Sequence, residues 1–209
     1  MIQGRWPSFI IHILISSIVL RIAAIFKVSY IIGSKMSFFS VTNLIGPIIG
    51  TYGVPFTICV FLIRACMGYH SIFTAIFSHL PSLFGSLYWA TQSVLIRLVL
   101  PLACIALFLL HPTGLQAYAY SFYWFIPVAV YMFGFQGIIA QAFASTFITH
   151  AVGSVIWLYT VPMDATMWWG LIPIVAVERV VSATGMVVAY RAIHMLKVYT
   201  QKAGITKAA

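Results

Sequence analysis

The sequence predicts an all-α membrane protein, a polytopic bundle of six or seven transmembrane helices. Two observations lead to this fold class. Of the 209 residues, 63% are hydrophobic and 6% are charged, whereas soluble domains carry about 25% charged residues. In addition, residues 36–63, 65–96 and 98–163 contain no Asp, Glu, Lys or Arg. Because a membrane-spanning helix needs about 20 mostly apolar residues, each of these runs is long enough for at least one helix.

The apolar residues fall into seven segments. They are residues 9–26, 44–63, 71–89, 94–110, 118–135, 138–160 and 167–193. Breaks at 111–114 (HPTG) and 161–164 (VPMD) are clear, since Pro and Gly favour turns. The join at 136–137 is weak, so segments five and six need not be two regular helices.

The basic residues predict the orientation of the chain. The net charge is +9, and the basic side chains are scattered rather than grouped into a nucleic-acid-binding patch. Four of them follow Tyr190: Arg191, Lys197, Lys202 and Lys207. Cytoplasmic segments of membrane proteins are enriched in Lys and Arg. We therefore expect one integral domain, 1–209, in the cell membrane, with a basic cytoplasmic tail at 191–209.

The number of crossings stays open between two topologies. Seven crossings with the tail inside put the N-terminus outside, and the charge count favours this arrangement. Six crossings put both ends inside, and one segment must then be re-entrant or too short to cross.

Segment two has an unusual composition. Gly46 and Gly50 are four residues apart, a spacing that lets helix backbones approach closely when both glycines lie on one face. Pro47 and Pro55 each remove a backbone donor, and such a disturbance within a bilayer is tolerated only against protein or a water-filled cavity. The segment is therefore either a tight packing surface or a broken helix that lines a binding cavity.

Glu178 is the most distinctive single residue, because it lies about eleven residues into the last segment. A carboxylate at that depth is costly unless it is paired or hydrated. Arg179 is adjacent, but successive residues of a helix point about 100° apart. We therefore expect an arginine of another segment, such as Arg21 or Arg97, as the partner. A structural ion pair and a substrate or proton site are the two interpretations.

Further candidates for substrate binding are polar or aromatic. His79 and His150 lie within apolar segments, where interhelical hydrogen bonding is the simpler explanation. Trp168 and Trp169 lie near a segment end, where aromatic rings commonly meet lipid headgroups. Asn43 precedes segment two.

Signatures of metal, cofactor and enzyme chemistry are weak in the sequence. There is no metal-ligand spacing, no phosphate-binding glycine loop and no zinc-protease motif, so we expect neither a metal nor a cofactor. A hydrolase built on a Ser/His or Cys/His pair stays open, because its members need only be adjacent in space.

The layout resembles the substrate-binding S components of energy-coupling-factor vitamin transporters. The shared features are a polar connection after the first helix at 33–37 (GSKMS), a Gly-Pro-rich second segment at 45–50 (IGPIIG), and a last helix that opens with 171–173 (LIP) and ends in a basic tail. The usual six helices and the pair of alanines four apart in the first helix are not matched. The resemblance implies capture of a vitamin-like molecule, with energy from a separate membrane coupling subunit and ATPases.

The sequence thus favours a membrane transport protein, a solute-binding subunit in contact with the lipid bilayer and a small-molecule substrate. Two alternatives stand beside it. One is a small membrane enzyme that acts on lipid or isoprenoid substrates, and the other is a structural or assembly protein without a ligand. No nucleic-acid partner is expected.

Overall fold

A computed structural model describes residues 6–26, 41–67 and 72–202. Every regular element in these residues is helical. The α-helices are α1 (Trp6–Ile25), α2 (Thr42–Ile45), α3 (Val54–Cys66), α4 (Ile72–Ala90), α5 (Leu100–Leu110), α6 (Pro112–Gln116), α7 (Phe125–Met132), α8 (Ile138–Thr160) and α9 (Ala165–Lys202). Two 3-10 helices, Gly46–Tyr52 and Tyr118–Trp124, and one π-helical turn, Leu95–Val99, complete them. The all-α prediction is confirmed for these residues, whereas the polar connection 33–37 and the end of the tail lie outside them.

Two of the described helices are long and apolar enough, by length and composition alone, to cross a membrane. They are α8 and the Ala165–Leu196 part of α9. The 23 residues of α8 extend about 35 Å at 1.5 Å per residue, close to the hydrocarbon thickness of about 30 Å. The apolar helices Phe9–Ile25, Val54–Cys66 and Leu95–Leu110 are shorter.

Helix α8 packs antiparallel to α4 and parallel to α5, since Ser145 and Gly153 of α8 contact Gly85 and Pro81 of α4 in reverse order. The Ser145 hydroxyl donates to the carbonyl of Gly85 at 2.8 Å and so joins α8 to α4. The Tyr159 hydroxyl donates to the carbonyl of Leu107 at 2.9 Å and joins the end of α8 to α5. We call the end of the bundle that holds Leu110 and Thr160 the upper end. The opposite end, which holds Ala90 and Ile138, is the lower end.

Segment two forms a helical hairpin instead of the single helix expected over 44–63. The Thr42 hydroxyl donates to the carbonyl of Leu20 at 3.1 Å, and the Arg21 guanidinium donates to the carbonyl of Met67. Both ends of the hairpin therefore lie beside the C-terminal half of α1. Its bend lies beside the N-terminal half, because the rings of Phe9 and Phe56 meet at 5.7 Å.

The bend of the hairpin has a local cause. Gly53 has φ of +98° and ψ of 169°, a conformation that is essentially restricted to glycine. Pro55 occupies the first turn of α3, where its missing N–H costs nothing. Pro47 lies in the same way at the start of the preceding 3-10 helix. A 20-residue apolar run is thus divided into a first arm, Thr42–Tyr52, and a second arm, Val54–Cys66.

The first arm packs against α4 with almost no space between the backbones. A Cβ added at Gly50 would overlap the Ser86 carbonyl group and would come within 2.8 Å of the Trp89 Cβ. At Gly46 the same addition would meet only ordinary contacts, 3.6 Å from Thr42 and 3.8 Å from Leu20. The Ser86 hydroxyl also donates to the carbonyl of Gly46 at 3.1 Å. The close approach is therefore concentrated at Gly50.

Candidate functional site

A cavity of about 20 Å³ lies between the hairpin, α1 and α4. This volume is room for a water molecule. His79, one of the residues predicted to bind substrate, lines it together with Arg64. The remaining lining residues are Leu20, Gly46, Ile49, Thr57, Val60, Phe61, Ser82, Leu83 and Ser86. The broken second segment therefore lines a water-sized cavity and also packs tightly against α4 at Gly50.

The cavity has a basic character at the upper end of the hairpin. Arg64 belongs to the last turn of α3 and lines the cavity together with His79. No acidic residue is among the lining residues. From the sequence alone, Arg64 contributes only to the prediction of the topology, because nothing in the sequence indicates that the chain reverses direction before this residue.

A second polar cluster joins α8 and α9. The Glu178 carboxylate lies 3.6 Å from the Arg179 guanidinium, and both side chains are largely buried. Arg179 also donates to the Thr146 hydroxyl at 3.2 Å. The expectation that Glu178 pairs with Arg21 or Arg97 is therefore wrong. Although the two backbone positions point about 100° apart, the long side chains converge on the face that α9 presents to α8.

Arg97, the other candidate partner of Glu178, is buried in different surroundings. It donates to the carbonyl of Thr91 at 3.1 Å and to that of Tyr88 at 3.0 Å. Its guanidinium also lies 4.3 Å from the centre of the Tyr88 ring, a cation–π geometry. Arg97 thus closes the lower end of α4 through carbonyl groups and an aromatic ring.

His150 lies one helical turn beyond Thr146 and is bonded on both ring nitrogens. The Trp124 indole donates to Nδ1 at 3.1 Å. The Tyr120 hydroxyl lies 2.8 Å from Nε2, and the Ser154 hydroxyl lies 3.3 Å from it. An indole N–H can only donate, so Nδ1 is the acceptor and the neutral ring carries its proton on Nε2. His150 therefore donates towards Tyr120 and Ser154.

This tautomer bears on the Ser/His hydrolase alternative. A histidine that activates a serine must accept the hydroxyl proton on the nitrogen that faces it. The His150 nitrogen that faces Ser154 already carries hydrogen as long as Trp124 donates to the other one. In addition, Ser154 is 7% exposed and Ser145 is fully buried. The arrangement fits a hydrogen-bonded support between helices better than a nucleophile with its base.

The remaining candidates are separated from one another. Trp168 is buried, and its ring meets those of Phe108 at 5.3 Å and Tyr120 at 4.8 Å. Trp169 is exposed and donates to the carbonyl of Gln116 at 3.1 Å. Asn43 is half-buried in α2. Trp168 thus adjoins the His150 cluster, whereas His79 belongs to the cavity.

The sequence contains a partial signal for the His150 cluster. Thr146, His150 and Ser154 recur every four residues and therefore share one face of α8. Tyr120 and Trp124 have the same spacing, yet their segment forms a 3-10 helix. Which ring meets His150 depends on the packing of two segments about 30 residues apart, which spacing within one segment does not predict.

The described residues contain no cluster of side chains that could bind a metal ion. No group of three or more His, Cys, Asp or Glu side chains among them could hold an ion. Comparison with known proteins adds no relative: no family model matches the chain, and neither a curated protein nor a solved structure is significantly similar to it. Function must therefore be argued from the geometry of these residues.

Proposed function

We propose that this chain is a multi-pass membrane transport protein that binds a small solute between the hairpin and α4. The observation that carries the proposal is the hairpin itself, together with the basic cavity that it lines. Broken helices at membrane depth are tolerated where they face protein or a cavity. Polar side chains inside a transmembrane bundle most often mark an ion or substrate pathway.

The outer surface supports a membrane location. Residues 10–25 of α1 present eight exposed branched apolar side chains to the outside: Ile10, Ile11, Leu14, Ile15, Ile18, Val19, Ile22 and Ile25. Helix α9 likewise exposes Val177, Val180 and Val181. Exposure of such side chains to water costs about 25 cal/mol per Å² of apolar area, a cost that lipid removes.

Six crossings fit the helix directions better than seven. α1 ascends, the hairpin returns to the upper end, and α4 descends from there. α5 and α8 then ascend, while residues 112–132 and α9 descend. The start of α1 and the end of α9 thus both lie below. Among the described residues, Arg97, Arg191, Lys197 and Lys202 belong to the lower half and Arg21 and Arg64 to the upper half, while Arg179 lies inside the bundle beside Glu178. The positive-inside rule therefore makes the lower end cytoplasmic.

The size of the cavity limits how a solute enters. A volume of about 20 Å³ is far below the several hundred Å³ typical of small-molecule pockets. A vitamin-sized solute therefore enters only when the hairpin moves away from α4. Gly53 is the natural hinge, because a glycine in this conformation absorbs large backbone changes without steric cost.

Native mass spectrometry of the protein purified in mild detergent tests this function. Gly46→Leu and Ser82→Leu put bulk into the cavity, while Gly170→Leu makes the same change where an added Cβ meets nothing within 4 Å. We expect the wild type and Gly170→Leu to carry a co-purifying small molecule. Both cavity variants should lose it when the bound molecule is counted per folded protein, even where the added bulk lowers the folded yield. A wild-type protein without a bound molecule, or cavity variants that retain it, would contradict the proposal.

A further inference from the structure

An open groove lies at the lower end of the bundle, between the start of α8 and the last part of α9. Its volume is about 440 Å³, and it is lined by Ile138, Tyr190, Arg191, His194 and Met195. This volume falls within the range of about 300–1,000 Å³ that is typical of ligand pockets. The groove therefore has room for the headgroup of a ligand, whereas the cavity beside the hairpin holds only a water molecule.

The groove lies at the level where the packed bundle ends and α9 continues. The Trp89 ring at the end of α4 lies 5.6 Å from the Tyr190 ring, and Ile138 is the first residue of α8. Beyond Tyr190, α9 extends to Lys202, a distance of about 18 Å at 1.5 Å per residue. The headgroup layer on each side of a bilayer is about 5–8 Å thick. In the proposed six-crossing topology, the helical turn that follows Tyr190 therefore lies among the lipid headgroups.

The groove is positively charged, and no acidic side chain of this chain balances it. Arg191 and His194 are exposed, and a spacing of three residues places them on one face of α9. The sequence has two acidic residues, Asp164 and Glu178. Asp164 precedes α9 at the upper end, and Glu178 lies about three helical turns above Tyr190. The start of α8 adds a partial positive charge of the same sign, because it is the N-terminal end of a helix.

Apolar surface lies directly beside this charge. Ile138 and Tyr190 belong to the lining, and the Met195 side chain is 69% exposed. The Tyr190 ring lies nearly parallel to that of His194, with 6.5 Å between the ring centres. A phospholipid presents a phosphate group next to apolar chains, so it matches a basic and an apolar surface placed side by side. A soluble phosphate compound would gain nothing from the exposed apolar part.

We propose that this groove binds the headgroup of one anionic phospholipid of the cytoplasmic leaflet. The Arg191 guanidinium offers a planar fork of N–H donors that matches two phosphate oxygens. The His194 imidazole adds a ring N–H, which it retains whether it is neutral or protonated. The lipid chains then lie along Ile138 and Met195. The inference rests on the proposed membrane location and orientation, and it does not require solute transport.

Titration of the delipidated protein in neutral detergent with single phospholipids, followed by native mass spectrometry, tests the site. We expect the wild type to bind phosphatidylglycerol about tenfold more tightly than phosphatidylcholine. Arg191→Gln should weaken the binding of phosphatidylglycerol about fivefold and leave that of phosphatidylcholine unchanged. Arg191→Lys, which keeps the charge without the fork, should lose only part of the affinity. His194→Leu provides a second variant that should also weaken the binding of phosphatidylglycerol selectively.

Two control variants separate the groove from the rest of the molecule. Lys202→Gln removes the same charge from the same helix about 16 Å further along its axis, so it should bind phosphatidylglycerol like the wild type. Gly46→Leu puts bulk into the cavity beside the hairpin and should leave lipid binding per folded protein unchanged. Because Arg191 and His194 are exposed, their substitutions should also leave the Tm unchanged in the same detergent.

The outcomes separate this inference from the proposed function. Equal binding of the two lipids by the wild type, or an equal loss in Arg191→Gln and Lys202→Gln, would overturn the lipid site. A wild-type dimer that Arg191→Gln dissociates would assign the groove to a second copy of the chain and overturn it as well. Arg191-dependent binding of phosphatidylglycerol without any co-purifying solute would support the lipid site and contradict solute capture.

Discussion

Replacing Glu178 with glutamine is expected to destabilise the folded protein by about 3–5 kcal/mol, the range for removing one partner of a buried ion pair. The substitution keeps the shape of the side chain and removes its charge. The Arg179 guanidinium, 4% exposed, would then keep the Thr146 hydroxyl but lose the carboxylate 3.6 Å away. Thermal unfolding in detergent, with the folded yield measured in parallel, tests this expectation.

Two controls make the expectation specific. Asp164→Asn removes the other acidic side chain at an exposed helix start and should cost about 1 kcal/mol or less. The double variant Glu178→Gln/Arg179→Gln should be more stable than the sum of the single effects predicts, because it removes both charges. If Glu178→Gln instead unfolds like the wild type and loses ligand, Glu178 touches the solute, which is the second of the two interpretations from the sequence.

Adding one methyl group at Gly50 should have an effect of similar size. A Cβ there would overlap the backbone carbonyl of Ser86 and crowd the Trp89 Cβ at 2.8 Å. Because backbone atoms cannot rotate away, the first arm must separate from α4. Gly50→Ala should therefore cost about 3 kcal/mol, the upper part of the range for overpacked cores.

Gly46→Ala is the matched control for Gly50→Ala. Its Cβ would sit at ordinary contact distances from Thr42 and Leu20, so its stability should stay within about 0.5 kcal/mol of the wild type. The measurement is the Tm of both variants in the same detergent. Equal Tm values for the two alanine variants would contradict the packing described for the first arm.

Much of the fold could be predicted because apolar length and Pro-Gly breaks are local properties. The segment 138–160 and the helix Ile138–Thr160 have the same limits, and α5 ends at Leu110 directly before the predicted break at 111–114, although residues 112–114 belong to the short helix α6. A broken helix was one of the two interpretations of 44–63, because of Pro47 and Pro55. The reversal of direction was not predicted, because the segment has the length and composition of one crossing. The reversal occurs at Gly53 with its positive φ, and no periodicity reveals the sign of a dihedral angle.

The candidate site was predictable in its residue types and less so in its pairs. His79 and Glu178 attracted attention because each is a polar group in an apolar run. Their neighbours depend on which faces meet, and an ideal helix gives no reason to expect Glu178 to pair with Arg179. Arg64 can be assigned to the candidate site only from the structure, because the second arm places its C-terminal end beside α1 and α4.

Cysteine accessibility tests the re-entrant hairpin most directly. In a variant with Cys59, Cys66 and Cys104 replaced by Ala, single cysteines are introduced in place of Phe26, Met67 and Met195, which are all exposed. We expect an impermeant thiol reagent to label positions 26 and 67 in intact cells, and position 195 only after permeabilisation. Labelling of 26 and 67 from opposite sides, as seven crossings require, would contradict the account.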